Sequence, residues 1–268
     1  MKKQKKNFFK IKKSKTNSGF ILNFLEKNIR THPLLYYIMR SFVRYTNIFE
    51  EDANGVKFLN FDKEINLIDV GASDGIATKF FNGKLSIKNT ICFEPNKYYV
   101  KQLKKLNINN LIIKPYALAN KNEIKKIFFP RYKFFSKNLD LIPYTYYDKQ
   151  TLVRQFNLDF KFLKNIEFVE KKLYLKKLCK INFKIDLIKV DVNDNGLSVV
   201  KSLLRIIKKN KPVLLVETDT DIKKIDSILK IYGYVKYSFL NDSKKFKKIK
   251  NKFPLNTYFL QKKHLNNF

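Results

Sequence analysis

Glycine, cysteine, histidine and tryptophan are all scarce in this chain of 268 residues, which holds seven, two, two and none of them. The two cysteines, Cys92 and Cys179, show no CxxC spacing, which excludes a disulfide framework, and both are expected to be inert core thiols in a reducing cytoplasm. His32 and His264 lie near opposite ends, leaving no material for a Ser-His-Asp triad or a Cys/His metal site. Long apolar runs are missing too. The stretch from Leu34 to Phe49 is interrupted by Arg40 and Arg44, and no uninterrupted apolar segment follows the lysine-rich start, so neither a membrane span nor a signal peptide is expected. With so few glycines and only seven prolines, the position of each carries information.

Acidic side chains are also few, 23 against 56 basic ones, for a formal net charge of +33. Such a surplus suits a polyanionic partner. Only six of the basic residues are arginine, however, and lysine, asparagine, isoleucine and phenylalanine dominate throughout. That is a chain-wide bias rather than a groove built for bidentate phosphate contacts, so a nucleic-acid partner is not expected. Residues 1–17 carry eight lysines among Phe8, Phe9 and Ile11 and read as a disordered basic arm able to lie on an anionic membrane, which gives a cytoplasmic location with peripheral membrane contact. Residues 18–60 read as a helical segment packed on the core through Leu35, Ile38, Met39 and Phe42. Residues 61–268 hold the main domain.

What is present is an ordered set of strand ends. Leu67, Ile68 and Val70 form a short apolar strand that runs through Asp69 into Gly71-Ala72-Ser73-Asp74-Gly75, whose glycines permit a tight turn and close backbone approach, and Ile76 begins a helix. About twenty residues on, Thr90-Ile91-Cys92-Phe93 makes a second strand ending in Glu94-Pro95-Asn96, where a carboxylate can accept hydrogen bonds from both hydroxyls of a ribose. Ser73 stands where a nicotinamide-binding fingerprint has its central glycine. S-adenosylmethionine fits better, because it has no pyrophosphate to cradle and its cationic sulfur favours nearby carboxylates such as Asp69.

These segments resemble the FkbM family of S-adenosylmethionine-dependent methyltransferases. Asp69 to Gly75 resembles the family's first motif, with Ser73 in place of the usual asparagine, and Phe93-Glu94-Pro95-Asn96 its second. Tyr116-Ala117-Leu118 resembles the third, Ile185 to Val192 the fourth and Pro212 to Glu217 the fifth. The resemblance implies a class I Rossmann-like α/β fold, a doubly wound and mostly parallel sheet with an antiparallel C-terminal edge strand. It also implies a cofactor site formed by Asp69, Gly71, Ala72, Ser73, Gly75, Glu94, Pro95, Asn96, Tyr116 and Ala117. The closing strands are expected at Tyr234–Leu240 and Leu255–Gln261, joined by a lysine-rich loop from Asp242 to Lys252.

The chain departs from the family pattern in two places. After Asp191-Val192 it carries Asn193, Asp194, Asn195 and Gly196 where an acidic residue, a glycine, any residue and a glutamate are usual, and Leu175 is followed by Lys176 rather than by an acidic residue. Asp191 to Gly196 also matches the first half of a calcium-binding EF-hand loop, but its last ligand would fall on Ser202 and a strand precedes it, so no metal is expected. Between the third and fourth core strands, residues 120–180 exceed what the fold needs and read as a substrate lid, in which Arg131, Tyr144 and Tyr146 are candidate acceptor contacts.

The expected activity is O-methylation of a sugar, a glycan or a small hydroxylated metabolite, an acceptor class that comes from the resemblance. Asp191, ending the fourth strand, is the candidate base, Glu217 at the end of the fifth is second, and Lys189 is structural. A cofactor-binding protein without turnover is the alternative that the altered loop raises, and an RNA methyltransferase a more distant one.

Overall fold

The computed structural model describes residues 49–134, 137–159 and 165–265, together with 38, 40, 41, 43 and 44. The basic arm, His32 and the stripe positions Leu35, Met39 and Phe42 lie outside them. Ile38, the one stripe position described, is 67% exposed rather than packed. The described residues fall into two compact units, one of residues 43–127 and 170–265, the other of 128–169 with 38, 40 and 41.

The larger unit opens with a 3₁₀ turn, Glu51–Phe58, and continues into β1 (Ile65–Val70) and helix α1 (Ile76–Asn82). Then come β2 (Ile87–Phe93), α2 (Lys97–Leu103), β3 (Leu111–Lys114) and the two-residue β4 (Ala117–Leu118). The chain enters the smaller unit along β5 (Glu123–Phe134), forms β6 (Lys137–Asp140) and helix α3 (Lys149–Asp159), and returns along β7 (Ile166–Lys176). In the larger unit it completes β8 (Leu187–Val190), α4 (Gly196–Asn210), β9 (Val213–Glu217) and α5 (Ile222–Ile231). It closes with β10 (Val235–Leu240), β11 (Lys245–Lys248) and β12 (Asn256–Leu260).

Eight of these strands form one sheet in the order β11-β10-β12-β9-β8-β1-β2-β3. The run from β9 to β3 is parallel, whereas β12 is antiparallel to both β9 and β10. A parallel sheet read outward from its first strand in both directions and finished by an antiparallel strand between the last two is the class I Rossmann-like methyltransferase fold. Period-2 alternation explains why its central strands are continuously apolar. Ile68, Val70, Ile188, Val190, Leu214 and Val216 face one side, under α4 and α5. Leu67, Leu187, Val213 and Leu215 face the other, packed with Phe80, Phe81 and the 3₁₀ turn. Each such side chain removed from water contributes roughly 1.5–3 kcal/mol, and both sheet faces are covered.

Two expectations change here. The lysine-rich link between the closing strands is not all loop, because β11 adds an antiparallel edge strand to β10, placing Phe239 opposite Phe246. Cys92 is buried as expected, but Cys179 is exposed.

Candidate active site

Strand register builds the site. Parallel pairing of β1 with β8 sets Asp69 opposite Lys189 and Val70 opposite Val190, and pairing of β8 with β9 sets Val190 opposite Val216. The next residues along β8 and β9 are therefore Asp191 and Glu217, two carboxylates leaving neighbouring strands at the carboxyl edge of the sheet, where open α/β folds place their ligands.

Lys189 is buried, its Nζ 3.2 Å from Asp69 Oδ1 and 3.0 Å from Asp191 Oδ2. Burial alone would lower its pKa, but the Asp191 and Asp69 carboxylates outweigh that and hold the ammonium charged. The other Asp69 oxygen accepts from Thr78 Oγ1 at 2.6 Å. Both oxygens of this fully buried residue thus have protein partners, and Asp69 anchors Lys189 beneath the site. Asp191 reaches outward, its side chain 41% exposed. The negative charge of Asp191, then burial and then their mutual hydrogen bond raise the pKa of Glu217 well above the glutamate range. A protonated Glu217 donating to an ionised Asp191, itself held by Lys189, is the arrangement these forces favour.

The glycine turn joins this pair to the second motif. Gly71 has φ +78°, and a Cβ built there would sit 1.9 Å from the carbonyl oxygen of Asp191, so the loops after β1 and β8 touch at backbone level. Gly75 has φ +86°, and its Cβ would sit 2.4 Å from Leu106 Cδ1. The glycines thus serve close packing of the turn itself. Ala72 is buried beside Cys92 and Leu103. Ser73 takes up φ +51°, and its N–H donates to Glu94 Oε2 at 2.9 Å. The other Glu94 oxygen accepts from the Asn96 N–H at 2.8 Å. Asn96 in turn caps α2, its Oδ1 accepting from the Tyr98 N–H at 2.8 Å, and Pro95 holds the turn between them, half-buried.

Glu94 is only 6% exposed. Burial raises its pKa to about 7 against the two backbone donors, with Asp69 adding to the rise. A carboxylate offers about four acceptor positions, and two backbone N–H groups fill two of them. A ligand with adjacent hydroxyls would complete the shell.

Tyr116 packs edge-on against Phe93 with ring centroids 5.6 Å apart, donates to Cys179 Sγ at 3.6 Å and lies under Lys176 Nζ at 5.6 Å. Lys176 therefore covers an aromatic ring. Ala117 is half-buried and pairs with Leu175 in the β4–β7 ladder. In the smaller unit, Arg131 forms a two-point ion pair with Asp140, Nε to Oδ1 at 2.5 Å and Nη2 to Oδ2 at 3.2 Å. Tyr144 and Tyr146 pack with Leu141, Leu152 and Phe156 in that unit's own core.

The segment preceding β1 contributes groups that the motif reading did not include. Arg44 Nη1 donates to Gln102 Oε1 at 2.8 Å, and Nη2 lies 3.5 Å from the buried Asp74 of the glycine turn. Asn256, at the start of β12, donates to Glu50 Oε2 and, at 3.1 Å, to Asp52 Oδ1. Glu50 is exposed as a residue, yet burial of its carboxyl end, with the neighbouring charges of Asp52 and Asp191, raises its pKa to about 7. The available signal was the run Glu50-Glu51-Asp52, three consecutive acids in a chain short of them. Among the described residues no group of three or more His, Cys, Asp or Glu side chains is arranged to hold a metal ion, and no helix is long and apolar enough to cross a membrane.

The strand order defines a methyltransferase fold of class I. No family model matches the sequence, and no curated protein matches it. Among solved structures, the chain is similar to the methyltransferase FkbM from Methylobacillus flagellatus KT, with 15% identity, a TM-score of 0.47, and 75% of this chain and 45% of that one covered. It is also similar to a precorrin-6y C5,15-methyltransferase from Geobacter metallireducens GS-15 (12% identity, TM-score 0.39, covering 78% of this chain and 84% of that one). A third is TrmK from M. capricolum, solved with S-adenosyl-homocysteine (10% identity, TM-score 0.36, covering 82% of this chain and 72% of that one). The chain thus spans less than half the length of the first of these proteins. Strand order and register, rather than these likenesses, carry the fold assignment.

Proposed function

We propose that this chain is an S-adenosylmethionine-dependent O-methyltransferase whose acceptor is a hydroxyl of a sugar, a glycan or a small metabolite. The observation that carries the reading is the backbone contact between Gly71 and Asp191, which brings a buried carboxylate suited to a ribose, Glu94, and a carboxylate pair suited to proton transfer, Asp191 and Glu217, onto one edge of the sheet. When bound, S-adenosylmethionine supplies an electrophilic methyl group on a cationic sulfur. Glu94 is the residue to hold its ribose hydroxyls, oriented for that by the N–H groups of Ser73 and Asn96.

The remaining work falls to Asp191. An acceptor hydroxyl hydrogen-bonded to its exposed side chain gives up a proton there as the oxygen becomes the nucleophile. Lys189 keeps Asp191 oriented from below, and the protonated Glu217 carboxyl holds it from β9 by the hydrogen bond that it donates. Two of the four residues that depart from the FkbM pattern after Asp191 have packing roles: Asn195 Nδ2 donates to the Leu118 carbonyl at 3.3 Å, and the Gly196 N–H to Asp219 Oδ2 at 3.3 Å.

The test is transfer of labelled methyl groups from S-adenosylmethionine into separate glycan, small-metabolite, lipid and RNA fractions. Label is expected in the glycan or metabolite fraction, and Asp191→Asn should lower the rate by about 10²–10⁴-fold. Label in RNA alone would replace the acceptor class. Tight cofactor binding with no transfer to any fraction would favour a binding protein without turnover.

A further inference from the structure

We propose that Asn256 is a positioning residue that fixes Glu50 and Asp52 beside the Asp191–Glu217 pair, so that the segment ahead of the core fold completes the acid–base site. This rests on the methyltransferase reading above.

Asn256 is 6% exposed, and a primary amide has two N–H bonds to give. One goes to Glu50 and the other to Asp52. Its place is fixed by the sheet, because antiparallel pairing of β12 with β9 sets Asn256 opposite Glu217. Two residues along β12, and so on the same face, the hydroxyl of fully buried Tyr258 donates to the Asp52 carbonyl at 2.8 Å. One rigid strand thus holds the 50–52 segment at two points, across more than two hundred residues of sequence.

Among the described residues, the groups facing Glu50 and Glu217 are Lys189 on β8 and Asp191 just after it, Asn256 and Tyr258 on β12, and Asp52 in the 3₁₀ turn. Lys189 is the cation among these, and it is engaged by Asp69 and Asp191. A lysine or arginine in place of Asn256 would offset one of the two negative charges of Glu50 and Asp52. The neutral amide orients them and leaves their mutual repulsion intact, so Glu50 adds negative charge beside the Asp191–Glu217 pair and favours retention of a proton there.

The experiment is a carbon-13 NMR titration of the full chain, with glutamate side-chain carboxyls labelled. In Glu50→Gln the Glu217 midpoint should fall by about half to one pH unit, because one negative neighbour is gone. In Asn256→Ser the Glu50 midpoint should move and its resonance broaden. A Glu217 curve in Glu50→Gln that superimposes on wild type would overturn the proposal, and so would an unaltered Glu50 curve in a folded Asn256→Ser protein. Should that variant fail to fold, Asn256→Gln, which keeps both N–H donors on a longer arm, is titrated in its place, and an unaltered Glu50 curve there overturns the proposal as well. Calorimetry of wild type with S-adenosylhomocysteine separates the two readings, since absence of binding would remove the methyltransferase function and leave the titration result standing.

Discussion

His264 illustrates how position in the chain can mislead at the scale of a single residue. Its place near the end of the sequence suggests a peripheral side chain, yet it is buried, with Nδ1 accepting from the Gln261 N–H at 2.9 Å and Nε2 lying 2.9 Å from the Lys211 carbonyl. The neutral ring with its proton on Nε2 satisfies both contacts. Burial, with Lys263 and Lys184 nearby, lowers its pKa from 6.5 to about 4. The folded state then resists a proton that the unfolded chain accepts, so the contribution of His264 is fully present above pH 6.5 and is lost as pH falls toward 4. Glu94 and Glu50, raised to about 7, act in the opposite sense, their cost growing as pH rises through that range. The informative quantity is therefore a difference: the stability of wild type minus that of His264→Gln, from urea unfolding at several pH values. It should shrink by on the order of 3 kcal/mol from pH 7 to pH 4, and a difference independent of pH would refute the neutral buried ring.

Helix α4 shows the same long-range dependence at the scale of an element. Its first turn contains no acidic side chain and Asn195 makes no capping bond, so its N-terminal dipole is met from outside, by Asp219 Oδ2 on the Gly196 N–H. A Cβ at Gly196 would lie 2.7 Å from that oxygen, which explains the glycine at this position. Asp219→Ala should lower stability by about 1 kcal/mol and speed amide exchange at Gly196, whereas unchanged exchange would deny the cap.

The parallel strands, α4 and its apolar stripe were legible in the sequence because periodicity and strand-end chemistry are local. So were Asp191 and Glu217, whose alignment follows from two apolar runs of matching length. Strand β11 was not, since in Lys245-Phe246-Lys247-Lys248 a single apolar residue supplies the packing: Phe246 lies 5.2 Å from Phe239 and 5.1 Å from Tyr258, ring to ring. Its flanking lysines keep that exposed edge from pairing with other chains. Glu50, Asp52 and Asn256 were hidden for a different reason, because their meeting depends on the closed sheet and on no local pattern.

For the whole molecule, the surplus of +33 contrasts with the carboxyl edge of the sheet, where Asp191 pairs with one buried lysine and Glu217 and Glu50 lie within reach of its charge. A cationic methyl donor suits that edge better than an anionic ligand would. The central claim is that this edge binds S-adenosylmethionine through Glu94, and titration calorimetry with S-adenosylhomocysteine on wild type and Glu94→Ala tests it most directly. At about pH 8, above the raised Glu94 midpoint, binding is expected in wild type, with a loss on the order of 1.5–3 kcal/mol in the variant from the missing carboxylate. No heat of binding at millimolar ligand, or equal affinity in the two proteins, would contradict the account.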